Sequence, residues 1–428
     1  MTAPLSPIAA LQAAYTAGTT DPADQARRAL AETNSNASHN TYISVRPDWT
    51  LSEAARVTER GASGARLPLY GVPVALKDCF ELEGFATSSG SKFYAAHLPA
   101  PCEDSWVAAR LCAAGAVITG KTHLHQLAYG ITGENPDYGD CLQPANAALL
   151  TGGSSSGSAA AVQEGSALAA IGTDTGGSIR TPAALCGLAG YRASVGLGDW
   201  RGGWHLSETF DTIGWLFRDL RDAPLLAEAL FDLPSERRSS QKLKVGVLTG
   251  AMLEDCDDAV HHAMSEWEQR LADAGATTQG ISPEWWRGAC DIYAPIQAQE
   301  AARIHAGYYE HFAPAIAARL AWGASLTDDA VATFREQHAR FRARMDALFA
   351  DLDFILAPAT PVSRLVAGAD HSEARALILR HTTPGSLGGN PALVLPGSPC
   401  GVQLMAGHLD DRRLLRFGAH LGDLLATE

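Results

Sequence analysis

Two residues in this chain have the types and settings for covalent catalysis: Lys77 and Ser178. Ser178 lies in Gly172-Thr-Asp174-Thr175-Gly176-Gly177-Ser178-Ile-Arg180, a glycine–serine turn placed where an apolar run ends. Two glycines before a serine let the backbone take positive φ or approach a ligand closely. Successive backbone N–H groups in such a turn can converge on an anion, so a serine there stands beside a ready oxyanion hole. The competing reading is a tight strand–helix turn with the serine as N-cap. A nucleophilic hydroxyl needs a base, and no histidine is tied to the motif by pattern. Lys77 ends the apolar run Val72 to Leu76, after a Gly-Val-Pro turn. Burial there strips solvation from the ammonium and favours the neutral amine, which can take a proton. The alternative is a surface lysine paired with its neighbour Asp78.

The stretch TGGSSSGS, residues 151–158, contains only Thr, Gly and Ser. Composition alone reads as a flexible linker. A linker is flanked by other polar residues, whereas this run leads into closely packing alanines. It therefore reads as a loop that passes close to another backbone or takes an uncommon conformation.

Two other patterns point elsewhere. Gly115 to Thr122, GAVITGKT, fits the phosphate-binding pattern G-x-x-x-x-G-K-[ST] letter for letter. That loop needs a strand before the first glycine and a helix after the lysine. Here VAARLCAA before it reads as helix, and AVIT reads as a Gly-bounded buried strand. His123 and His125 can meet one metal only from a strand face, with no third ligand nearby in sequence. His261-His262 diverge on a helix. No metal and no cofactor are expected.

The elements that would position these residues alternate. Residues 7–34 read as two helices broken at Thr-Thr-Asp-Pro, and 50–61 as a third. Residues 105–122 read as helix, Gly turn and strand; 167–192 read as strand, Gly turn and a short helix. Strands follow at 244–250 and 353–361, an amphipathic helix at 257–276, a helix-rich stretch at 282–350, and a closing hairpin in NPALVLPGSPCGVQLMAG. The class is α/β with a mixed sheet. The 428 residues carry 46% hydrophobic and 19% charged residues, ordinary for a globular chain with ample core. The net charge of −14 comes without a basic cluster, so neither nucleic acid nor an anionic membrane is an expected partner. The N-terminus has no signal-peptide pattern, no run approaches a membrane span, and eight cysteines are scattered without a C-x-x-C pair. A cytoplasmic setting fits best.

GVPVALKD, then TGGSSSGSAAA, then GTDTGGSIRTPAALCG, in that order, resemble the amidase signature family, and the resemblance covers nearly the whole chain. AGAVITGKTHLHQLAYG, TFDTIGWLFRDLRDA, DFILAPATP and the closing hairpin resemble further segments of it. The resemblance implies one domain over residues 1–428, an α/β/α sandwich with a central mixed sheet covered by helices. Its signature core spans about 67–220, and about 235–350 shapes the substrate pocket. By motif position, Ser178 is the implied nucleophile, Ser154 the serine after a cis peptide bond, and Lys77 the base of a relay. The backbone N–H groups of Thr175, Gly176, Gly177 and Ser178 are the implied oxyanion hole. Gly153, Ser155, Asp174 and Arg180 are expected to support the loops, and Tyr129 and Gly130 to line the acyl pocket.

Some residues depart from the family pattern. Cys79 follows Lys-Asp where a polar residue is frequent, Gln143 precedes Pro144 where Asn is frequent, the closing hairpin is short, and the middle region has no specific match. The expected activity is hydrolysis of a small-molecule amide or carbamate (urethane) through an acyl-enzyme, without a cofactor; ureas and esters are within the same chemistry. The nine tryptophans read as core rather than as an aromatic pocket. A homodimer is compatible with the resemblance, though no stretch marks an interface. The alternative is the A subunit of a glutamine-dependent tRNA amidotransferase, which needs partner chains and for which this chain reads as short. A non-catalytic or nucleotide-binding module is the third reading; the intact Lys77, Ser154 and Ser178 argue against it.

Overall fold

The computed structural model describes residues 3–236 and 243–427. Its strands in chain order are β1 (Tyr42–Ser44), β2 (Pro73–Lys77), β3 (Val117–Thr122), β4 (Leu142–Gln143), β5 (Asn146–Leu150), β6 (Ala169–Asp174), β7 (Ala189–Arg192), β8 (Thr212–Phe217), β9 (Lys244–Leu248), β10 (Thr277–Ile281), β11 (Phe354–Pro358), β12 (Ala392–Leu395) and β13 (Val402–Ala406). Eleven form one sheet in the order β1-β3-β2-β6-β8-β7-β12-β13-β11-β9-β10, while β4 and β5 make a separate ribbon. The sheet is mixed. β3, β2 and β6 run parallel, as do β11, β9 and β10, and the strands between them pair antiparallel. Helices flank the sheet, which makes this the expected α/β architecture.

Full coverage explains the sequence of the central strands. Every residue of β2, β3, β6 and β8 is buried, so these strands read as continuous apolar or small-residue runs rather than alternating ones. The helix Ser156–Glu164 packs against β6, β2 and β8. Its residues Ala159, Ala160 and Ala161 are fully buried, and their small side chains let it lie close to the sheet. It stops at Gly165, whose left-handed φ of +89° forms the C-cap.

The GKT pattern is not a phosphate loop. Residues Val117–Thr122 are β3 itself, and Lys121 Nζ lies 2.7 Å from Asp78 Oδ1 with both side chains fully buried. That ion pair also disposes of the surface alternative for Lys77: Asp78 is spent on Lys121, and Lys77 is the buried last residue of β2. His123 Nε2 contacts the Gly139 carbonyl at 2.8 Å. The helix at 257–276 ends earlier, at Asp273, because Thr277–Ile281 is strand β10 paired in parallel with β9. The closing hairpin is present as β12 and β13, with Leu395 opposite Val402.

Candidate active site

β2 delivers Lys77 to the centre of the site. Its Nζ donates to Ser154 Oγ (2.9 Å), Ser155 Oγ (2.9 Å) and Thr173 Oγ1 (2.7 Å), using all three ammonium donors on neutral hydroxyls. No carboxylate takes part. Burial pulls the Lys77 ammonium down to about 8, against the opposing fields of Asp211 and Asp174. Thr173 was not anticipated from sequence; it lies on the neighbouring strand β6, which pairs with β2.

The TGGSSSGS stretch is a buried loop, not a linker: residues 151–158 are all buried. The Gly153–Ser154 peptide is cis. At Gly153 a Cβ would stand 2.9 Å from the Gly133 backbone nitrogen, so only glycine fits this approach of two chains. Gly153 N–H donates to Ile131 O at 2.8 Å, and Ser155 N–H to Ser178 O at 3.2 Å, which joins this loop directly to the other serine loop. Ser155 Oγ also donates to Thr173 O at 3.1 Å.

Ser178 follows β6 and precedes the helix Arg180–Leu185. Its own side chain is not the N-cap; that position is Ile179. The capping group is instead Asp174. Its carboxylate accepts from the backbone N–H groups of Gly177 (2.8 Å), Ile179 (3.1 Å) and Arg180 (3.2 Å), from Arg180 Nε (3.0 Å) and Nη2 (2.9 Å), and from Arg192 Nη1 (2.8 Å). Burial opposes ionisation of Asp174, but Arg180 and Arg192 overcome it and hold the carboxyl well below the usual range. Arg180 extends the brace to the C-terminal part of the chain, donating to Thr382 O (2.9 Å) and Gln403 Oε1 (3.0 Å).

Of the four backbone amides expected to face an oxyanion, the Gly177 N–H already donates to Asp174 Oδ1 at 2.8 Å. Gly177 has φ +122°, and a Cβ there would meet Thr382 at 2.8 Å, so glycine is required on both counts. Thr175 is held by a residue whose role is not visible in sequence. Asp211 Oδ1 accepts from Thr175 Oγ1 at 2.6 Å, while its Oδ2 accepts from Leu206 N (2.9 Å) and Ser207 N (3.0 Å) and contacts His205 Nδ1 (2.9 Å). The only signal for it was its place in TFDTIGW.

Ser178, Thr175 and Gly176 open onto a narrow cleft with a cavity volume of about 20 Å³. Tyr129 and Gly130 line it. Tyr293 and Gln297 enter from the helix Ala289–Ile304, and Arg375 and Leu379 from the helix Ser372–Gly388. The first pair lies in the middle region expected to shape the pocket, while the second lies beyond its end. No tryptophan lines the cleft, and Trp215 and Trp286 are core. Cys79 is buried in the core as well, where burial raises its thiol to about 11.

The Amidase family's sequence profile matches residues 26–415, so the chain belongs to the amidase family. It is 30% identical to the A chain of glutamyl-tRNA(Gln) amidotransferase from Chloroflexus aurantiacus, across 96% of this chain and 95% of that one. The corresponding protein of Koribacter versatilis is 30% identical across 91% and 92%. These matches run nearly end to end, so the expected shortness relative to that amidotransferase chain does not separate the two. Among solved structures, an amidase superimposes with a TM-score of 0.88 at 31% identity, covering 98% of this chain and 99% of that one. A chain from work on an s-triazine catabolic enzyme and a vestigial protein complex gives 0.88 at 29%, covering 97% and 98%.

Proposed function

We propose that this protein hydrolyses an amide C–N bond through an acyl-enzyme on Ser178. The observation that carries this reading is the hydrogen bond from a fully buried Lys77 to Ser154, with Ser178 on the wall of the adjoining cleft. In its neutral form, Lys77 takes the proton of Ser154, and Ser154 takes that of Ser178. The Ser178 oxygen bonds to the carbonyl carbon, and the N–H groups of Thr175, Gly176 and Ser178 receive the developing oxyanion. Collapse breaks the C–N bond while the relay returns the proton to the leaving amine. Water then attacks the acyl ester by the same relay, releasing the acid and restoring Ser178. Carbamates, ureas and esters fit the same steps. All eight cysteines are free thiols, which fits a cytoplasmic setting, and among the described residues no helix is long and apolar enough to cross a membrane.

Turnover of primary amides, read as ammonia release by wild type and by Lys77→Ala, Ser154→Ala and Ser178→Ala proteins, tests the relay. Each variant should lose activity while remaining folded. A folded Lys77→Ala protein with wild-type turnover would remove the lysine from the mechanism.

A second reading is favoured by the curated relatives named above: that this is the corresponding chain of a glutamyl-tRNA(Gln) amidotransferase. The same relay would then act on an amide supplied within an assembly, with tRNA as a partner. Glutamine hydrolysis that appears only when the other amidotransferase chains are added would establish it; amide hydrolysis by the chain alone, unchanged by those partners, would favour the free-standing hydrolase.

A further inference from the structure

The cleft beside Ser178 carries a charge that the relay does not use. Arg375 is the one ionic side chain among its lining residues, and no aspartate or glutamate faces it there. Arg375 and Leu379 are four residues apart on one helix, so they present the same wall. Arg380, further along that helix, is paired with Asp255. Arg375 has no carboxylate within ion-pair distance among the described residues.

A second arginine packs on Tyr129 of the cleft wall. Arg319, on the helix Pro314–Ser325, donates to the Tyr129 carbonyl and lies over the Tyr129 ring at 4.8 Å from its centre. It too lacks an acidic partner among the described residues. Burial and the neighbouring Arg375 lower the Arg319 guanidinium to about 10. His125, packed against Gly130, is driven down to about 3 by burial and by both arginines among other cations. One cation thus lines the small cleft, and a second, held on Tyr129 of its wall, adds to the field there, in a chain with 47 acidic against 33 basic residues. Like charges held together in a partly desolvated site cost free energy unless an anion offsets them.

We infer that the substrate carries a carboxylate, on its acyl or its amine side, which Arg375 binds with Arg319 adding to the local positive field. A guanidinium matches a carboxylate through two parallel N–H···O bonds. Since Ser178, Thr175 and Gly176 line the same cleft, a molecule anchored at Arg375 would present its carbonyl to the serine. This substrate class rests on the hydrolase reading above.

Binding to the Ser178→Ala protein, measured by calorimetry, tests the inference without any need for turnover. Four pairs of ligands differ only by a carboxylate or a methyl group: malonamate and propionamide, succinamate and butyramide, glutaramate and pentanamide, N-acetylglycine and N-ethylacetamide. At least one anionic member should bind about tenfold or more tightly than its uncharged mate, as expected for a charge-assisted bidentate contact. Arg375→Gln in the same background should erase that preference, and Arg375→Lys, which keeps a point charge, should retain part of it. Higher salt should weaken the anionic member alone. Equal affinity within all four pairs, or no binding by any anionic member, would overturn the inference; so would a preference that survives Arg375→Gln. Failure of the hydrolase reading shows separately, as loss of amide turnover by the wild-type protein.

Discussion

At the residue scale the decisive feature is how Lys77 is solvated. Three hydroxyls replace water around its ammonium, and none brings a negative charge. Burial disfavours the charged form, so the amine becomes available near pH 8 rather than near 10.5. If neutral Lys77 starts the relay, kcat/KM should rise with pH and level off above an apparent pKa of about 8. A pH–rate profile checks this; a flat profile from pH 6 to 9 would contradict it. Lys77→Ala should lower kcat by about 10²–10⁴-fold near neutrality, the usual contribution of a positioned proton-transfer group, while leaving circular dichroism unchanged. The three catalytic candidates were legible because each sits in a local motif whose composition is unusual: a lysine closing an apolar run, a Thr/Gly/Ser loop, a Gly-Gly-Ser turn. Their supports were less so. Asp211, Arg192 and Thr173 look like ordinary strand and loop residues, and only tertiary pairing reveals what they hold. Lys121 taught the opposite lesson, since a perfect local pattern turned out to be a buried strand lysine whose partner, Asp78, lies 43 positions earlier in the chain.

At the scale of elements, the two serine loops are held by one buried carboxylate and by close backbone approaches. Asp174 caps the helix Arg180–Leu185, ties Arg180 and Arg192, and fixes the Gly177 amide. Removing it leaves two guanidinium groups buried without their counter-charge. Asp174→Ala should therefore destabilise the protein by about 3–5 kcal/mol, read as a lower urea midpoint. A change within experimental error would mean that the network is not structural. Gly177→Ala places a side chain at φ +122° and into Thr382. It should cost about 1–3 kcal/mol and depress turnover further than stability alone explains, because the shifted turn carries Ser178. The elements themselves were legible where their period or glycine punctuation was strong, as in the helix Trp106–Ala114 with its Gly115 cap. β8 was not read as a strand; TIGWLF showed only as part of a familiar segment, although it lies between β6 and β7 at the middle of the sheet. A short, fully buried strand has no alternation to announce it.

For the whole molecule, one sheet passes through both halves of the sequence. β7 pairs with β12, and Arg180 reaches Thr382 and Gln403, so the serine loops rest on the C-terminal part of the chain. From this we expect the chain to behave as the single unit that its sequence resemblance implies. Urea unfolding followed by tryptophan fluorescence and by far-ultraviolet circular dichroism should give coincident single transitions; separated midpoints would argue for independent units. The cleft is also a product of the whole: its walls come from Tyr129, Thr175, Tyr293 and Arg375, which no sequence window contains together. That is why the substrate class stayed illegible in the sequence. The most direct test of the central claim is intact-mass spectrometry after treatment with a fluorophosphonate, on wild type and on Ser178→Ala. A single covalent adduct on the wild-type protein, absent from the variant, is the predicted result. No adduct on well-folded wild type, or the same adduct on Ser178→Ala, would contradict an activated nucleophile at Ser178.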